Sequence, residues 1–185
     1  LALSGFGCFC SGGLAERVSV DESALLPVPE GVSLEAAATL PTAAVTAYQA
    51  LNGVARVQAG ERLLIDGASG GDGGFAIQIG RAAGARITAV VGPGKRETAL
   101  SLGADEAIDY TLVDPTAPSQ MRAAGSTDSL YDVIYAANGH RNLSEYQRVL
   151  SPEGRFVMTG GSGSLMLQTL LAGKRYRFHT MKPNR

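Results

Sequence analysis

The chain has 185 residues, 45% of them hydrophobic, and a formal net charge of −1. That length holds one full domain plus part of another, with enough apolar residues for a sizeable core. The near-neutral charge gives no electrostatic basis for nucleic acid or an anionic membrane as partner, and no apolar run reaches the roughly 20 residues that span a bilayer. The start, Leu1-Ala2-Leu3-Ser4-Gly5-Phe6, lacks the basic region of a signal peptide and a leading Met. The chain is therefore expected to begin inside a longer protein. Cys8 and Cys10 form one C-x-C, while His140 and His179 lie far away without ligand spacing. A tetrahedral zinc site needs about four ligands, so no metal is assigned. The thiols read as free, in a reducing, cytoplasmic compartment.

Residues 1–33 differ from the rest. Gly5, Gly7, Gly12 and Gly13 make the start loop-like, and Ala15-Glu16-Arg17-Val18-Ser19-Val20 alternates as a half-buried strand does. Leu26-Pro27-Val28-Pro29 is an extended linker. This stretch cannot bury a core alone and reads as the trailing edge of a preceding domain. Ser33 is an N-cap for a helix that Pro41 should break or kink, and a second helix is expected over 42–52, ended by Gly53.

The centre of the chain is Arg62-Leu63-Leu64-Ile65-Asp66, then a glycine turn with Gly67, Gly70 and Gly73, then a helix. The spacing predicts an apolar stripe of Phe75, Ile79 and Ala82 on that helix. A buried strand that feeds a helix through glycines lets the backbone approach a pyrophosphate, and the helix N-terminus supplies free N–H groups. A plain glycine turn without ligand is the alternative at this point. Gly84 ends the helix, and a β-branched strand follows over 87–91. A short helix over 95–102 closes at Gly103, and a third strand is expected over 107–110. A peripheral helix over 115–124, a polar loop over 125–128 and a strand over 131–136 come next. Then follow a helix over 143–150, a strand over 155–159, a helix over 165–171 and an edge strand over 175–181. Six strands with helices between them predict an α/β fold, a doubly wound, six-stranded parallel Rossmann sheet over 34–185.

A site that prefers NAD carries an acid at the end of the second strand, about 20 residues past the glycines. Here that position reads Val91-Gly92-Pro93-Gly94-Lys95-Arg96, with no acid and two cations. Lys95 or Arg96 can pair with a 2′-phosphate, which favours NADPH; a solvated helix start is the alternative for both. The phosphate-loop spacing of ATP proteins is absent, since Ala89 occupies its first glycine position. No Tyr has a Lys four residues on, as a short-chain dehydrogenase would need.

Taken in order, the segments resemble a medium-chain dehydrogenase/reductase of the zinc-free quinone oxidoreductase type. They are Leu14-Ala15-Glu16-Arg17-Val18, Pro27-Val28-Pro29-Glu30-Gly31, Ala36-Ala37-Ala38-Thr39-Leu40-Pro41, Val45-Thr46-Ala47-Tyr48-Gln49-Ala50-Leu51, Gly67-Ala68-Ser69-Gly70-Gly71, Leu102-Gly103-Ala104-Asp105, Ile108-Asp109-Tyr110 and Lys182-Pro183-Asn184-Arg185. The resemblance implies that a GroES-like β domain precedes this one, with 1–33 as its remnant. It places Thr46 beside the nicotinamide, Gly70, Gly71 and Gly73 on the pyrophosphate, and Lys95 and Tyr110 near the adenosine 2′-phosphate. It puts Asn138-Gly139 and Gly160-Gly161 in loops that flank the nicotinamide. Zinc-containing relatives carry a ligand cysteine four residues before that threonine; here the position is Thr42, a poor zinc ligand.

One departure stands out. The family usually has an apolar residue where this chain has Asp72. An acid there favours the helix dipole but opposes a nearby pyrophosphate. It is expected either to weaken cofactor binding, to point away from the cofactor, or to be a solvated first-turn acid. The resemblance implies an NADPH-dependent reductase of a quinone or enone, with no catalytic residue evident in this chain. An enoyl-thioester reductase and a non-catalytic nucleotide-binding module are the alternatives. A homodimer through the edge strand 175–181 is expected as well.

Overall fold

A computed structural model describes residues 25–123 and 130–182, together with Glu16, Arg17, Ser19 and Glu22. The expected polar loop over 125–128, Cys8, Cys10 and residues 183–185 lie outside the described residues. Of the strand expected over 15–20, Glu16, Arg17 and Ser19 are described, and none of the three is in a strand.

The order of strands is β3-β2-β1-β4-β5-β6, in one six-stranded sheet. They are β1 (Arg62–Asp66), β2 (Arg86–Val91), β3 (Glu106–Asp109), β4 (Tyr131–Ala136), β5 (Leu150–Met158) and β6 (Tyr176–Phe178). Every neighbouring pair is parallel. The strand order reverses between β1 and β4, which opens a crevice at their carboxyl ends. The doubly wound sheet predicted from the sequence is therefore the observed one. Its run Leu63-Leu64-Ile65 is fully buried because both faces are covered.

Leu63, Ile65, Val133, Tyr135 and Val157 belong to one core layer, which α3 (Gly71–Ala82) joins through Ala76 and Ile77. Leu64, Ile134, Ala136, Phe156 and Met158 belong to the other. There they meet Met121 of α5 (Pro118–Ala123), Leu143 and Tyr146 of α6 (Leu143–Gln147) and Leu165 of α7 (Gly163–Leu171). The short α4 (Arg96–Ser101) leads into β3.

Five expectations change. Of the break or kink expected at Pro41, the break does not occur; the helix is distorted there instead. The segments α1 (Leu34–Thr39), a π-helical turn (Leu40–Ala44), α2 (Val45–Tyr48) and a second π-helical turn (Gln49–Ala55) follow one another without a break. Proline cannot donate to the carbonyl four residues back and crowds it. Here that carbonyl, Ala37 O, accepts from the Leu40 N–H instead, and the wider π turn makes room for the ring. The run ends at Arg56, in the left-handed region with φ 52°, and not at Gly53.

The buried stripe of α3 is Gly73, Ala76, Ile77 and Gly80, while Phe75 and Ile79 are half-buried and Ala82 is exposed. The small residues face inward because the helix lies very close to the sheet. A Cβ on Gly80 would come within 2.8 Å of Leu63 Cδ2. The strand expected over 155–159 begins earlier, at Leu150, through an irregularity in its pairing with β4. The edge strand is three residues long, and Tyr176 is buried against Phe156 rather than available at the edge.

Candidate cofactor site

The turn after β1 is shaped by contacts that exclude side chains. Gly67 has φ 85°, and a Cβ there would lie 2.9 Å from both Asn138 N and Asn138 Cβ. A Cβ on Gly73 would lie 2.5 Å from Ala68 Cα, so α3 sits directly on the turn. Gly70 is the N-cap of α3 and offers no side chain to the first N–H groups. The first four N–H groups of a helix lack partners within it. This cradle of open amides fits a pyrophosphate by charge and by space. Gly71 and Gly73 lie inside the first turn of α3 rather than in a loop.

Beside the turn is a crevice of about 370 Å³, lined by Asp66, Gly67, Gly70, Tyr110, Asn138 and Arg141 among others. Tyr110 follows β3, is half-exposed, and covers Gly92; a Cβ on Gly92 would meet its hydroxyl at 3.5 Å. Lys95 and Arg96 are exposed at the start of α4. Arg96 Nε donates to Ala107 O at 2.9 Å, which turns that side chain toward β3. Neither cation lines the crevice. Thr46 is half-buried on α2, which packs against α3.

The loops after β4 and β5 are joined to each other. Gly139 N–H donates to Gly160 O at 3.1 Å, and Ser162 N–H to Gly139 O at 2.9 Å. Gly161, with φ 135°, packs on the Gly139 backbone. The structure thus brings Gly70, Tyr110 and Asn138 to one crevice, and Gly139, Gly160 and Gly161 to one loop pair.

Asp72 is not a solvated acid. Its Oδ2 accepts from Tyr135 Oη at 2.6 Å and from Thr159 Oγ1 at 2.9 Å. The side chain is turned inward beneath α3, toward the ends of β4 and β5. Burial pushes its carboxyl above the usual range, and the two hydroxyl hydrogen bonds offset part of that. Oδ1 is buried without a hydrogen-bond partner.

A second polar cluster escaped the sequence reading. Asp66, at the end of β1, is 5% exposed. It accepts from Arg141 Nη1 at 2.9 Å and from Tyr146 Oη at 2.6 Å. Arg141 also reaches Asp114 at 3.5 Å. Burial works most strongly against the charged guanidinium, but the neighbouring Asp66 charge, Tyr146 and Asp114 together outweigh it and the pKa rises. Burial and the same carboxylate raise the Tyr146 phenol. The signal in the sequence was an acid closing an apolar strand; its partners are more than 70 residues away.

The family described as zinc-binding dehydrogenase matches residues 71–177. The chain belongs to the medium-chain dehydrogenase/reductase family. It is similar to the mitochondrial NAD(P)H oxidoreductase RTN4IP1 of Mus musculus, 45% identical over 105 residues, which covers 55% of this chain and 26% of that protein. A solved quinone oxidoreductase from Thermus thermophilus, described also in complex with NADPH, is 39% identical with a TM-score of 0.67, over 80% of this chain and 47% of the other. The CurK enoyl reductase is 31% identical with a TM-score of 0.65, over 85% and 46%. The chain spans about half the length, or less, of such relatives.

Among the described residues no group of three or more His, Cys, Asp or Glu is placed to hold a metal. Nor is any helix of the described residues long and apolar enough to cross a membrane.

Proposed function

We propose that the chain is the cofactor half of a zinc-free, NADPH-dependent oxidoreductase that reduces a quinone or another electron-poor C=C. The observation that carries this reading is the helix N-terminus at Gly70–Gly73, whose N-cap Gly70 lines the crevice at the strand ends. When bound, reduced nicotinamide supplies a hydride to the acceptor; the residues of this chain bind and orient it. The first turn of α3, with Gly70, Gly71 and Gly73, holds the pyrophosphate. Tyr110 and Lys95 hold the adenosine 2′-phosphate beside Gly92, with Arg96 behind them. Thr46, Asn138, Gly139, Gly160 and Gly161 flank the nicotinamide. Catalysis is assigned to substrate positioning by the GroES-like domain of which 1–33 is the remnant, and no catalytic residue is assigned here.

A second reading, reduction of an enoyl thioester, is favoured by the likeness to the CurK enoyl reductase. The same cofactor residues serve it. A homodimer through the outer edge of β6, which pairs with β5 alone among the described residues, is part of the proposal. The neighbouring α7 exposes Leu167, Leu170 and Leu171, which suits a partner surface.

Titration of NADPH and NADH against this chain, read by nicotinamide fluorescence, tests the reading. NADPH should bind more tightly, and Lys95→Ala should weaken NADPH about tenfold, the worth of one charge-assisted contact, with NADH unaffected. Binding of neither nucleotide overturns it. A monomer by light scattering overturns the dimer.

A further inference from the structure

The three-way contact of Asp72, Tyr135 and Thr159 is not needed to hold a pyrophosphate. Besides their bonds to Asp72 Oδ2, the two hydroxyls lie 2.9 Å from each other. The three groups come from the first turn of α3, the body of β4 and the residue that follows β5. Thr159 opens the Gly160–Gly161 loop, and its N–H donates to Ala136 O at 3.0 Å. That loop is hydrogen-bonded in turn to Gly139. Its side chain therefore links the joined loops of β4 and β5 to the helix that carries the cofactor amides.

A purely stabilising contact would be served as well by a hydrocarbon, since a buried carboxylate is expensive to desolvate. Oδ1 is left unpartnered here, which adds to that cost. What the carboxylate adds is direction: it fixes the orientation of two hydroxyl groups at once. We infer that Asp72 is a positioning residue, which locks the Thr159-Gly160-Gly161 loop against α3 and so sets the nicotinamide half of the site. This rests on the cofactor reading above.

Two ligands separate positioning from charge. NADPH and 2′-phospho-ADP-ribose share the adenosine phosphate and the pyrophosphate, and only NADPH carries nicotinamide. Loss of the Asp72 charge acts on both alike; loss of the loop's position acts on NADPH alone. Asp72→Val and Thr159→Val should each lower the ratio of NADPH affinity to fragment affinity about tenfold, the worth of one charge-assisted hydrogen bond. Asp72→Asn keeps an acceptor and should restore most of the ratio. In the cofactor-free chain, amide hydrogen exchange at Gly160 and Gly161 should accelerate in both valine variants, with Gly92 unchanged. An unchanged ratio, or unchanged exchange at Gly160 and Gly161, overturns the inference. If the unaltered chain binds neither ligand, the cofactor reading falls, and the exchange comparison still decides whether Asp72 fixes the loop.

Discussion

Arg141→Leu removes the guanidinium from a carboxylate that is 5% exposed. Asp66 would keep the Tyr146 hydroxyl at 2.6 Å and lose the Nη1 donor at 2.9 Å. Breaking a buried pair by removing one partner costs about 3–5 kcal/mol, because the other charge stays buried. The Arg141 side chain is 21% exposed on the crevice side, so water can reach part of the gap. The lower end, about 3 kcal/mol, is therefore expected. That is a large share of the roughly 5–15 kcal/mol that holds a domain. Replacing both partners, as Asp66→Leu with Arg141→Leu, leaves no buried charge at the end of β1, only the Tyr146 hydroxyl and the part-exposed Asp114 without Asp66 and Arg141, and should return stability to within about 2 kcal/mol of the starting chain. Urea unfolding at pH 7 measures both, with the slope unchanged and only the midpoint moved. A single-variant cost below about 1 kcal/mol, or a double variant as unstable as the single one, would refute the reasoning.

Asp72→Asn should stabilise the chain at pH 7, because burial holds the native carboxyl above its ordinary value of 3.8. The native state then binds more protons than the unfolded one between those two values, so native stability falls as pH rises through that window. The gap between the asparagine variant and the unaltered chain should close as pH falls toward 3.8; a pH-independent difference in melting temperature would count against it. Gly73→Ala places a Cβ 2.5 Å from Ala68 Cα, a backbone atom that cannot yield. It should cost more than about 2 kcal/mol and abolish NADPH binding. Gly71→Ala meets only Ala43 Cβ at 3.6 Å and should fold normally; equal thermal stability of the two variants would show that α3 does not rest on the turn. Asp132 sits below the usual carboxylate range chiefly through its hydrogen bond to Arg62. Its contribution is present at neutral pH and lost as pH falls, so Asp132→Asn should flatten the acid limb of the unfolding profile.

The sequence alone determined the order of elements, because periodicity and punctuation are local properties. Tyr131–Ala136 reads as a strand from its own residues. Gly84 and Gly103 end helices because only a residue without Cβ enters the left-handed region cheaply, at φ 77° and 108°. The strand–turn–helix at 62–82 was legible for the same reason. The tertiary structure decided everything that depends on what lies opposite. The inward face of α3 is its glycine and alanine face, because the sheet comes so close that Leu63 and Ile87 fill the space of a side chain at Gly80. Pro41 stays inside a helical run because Leu40 takes over the carbonyl it cannot reach. Asp72 was visible as a departure, but its direction depended on Tyr135 and Thr159, which are 63 and 87 positions away. Asp66 found Arg141 and Tyr146 in the same way, across 75 and 80 positions. A side chain's charge is written in the sequence, whereas its partner is set by strand order, which brings β1 and β4 together from distant parts of the chain.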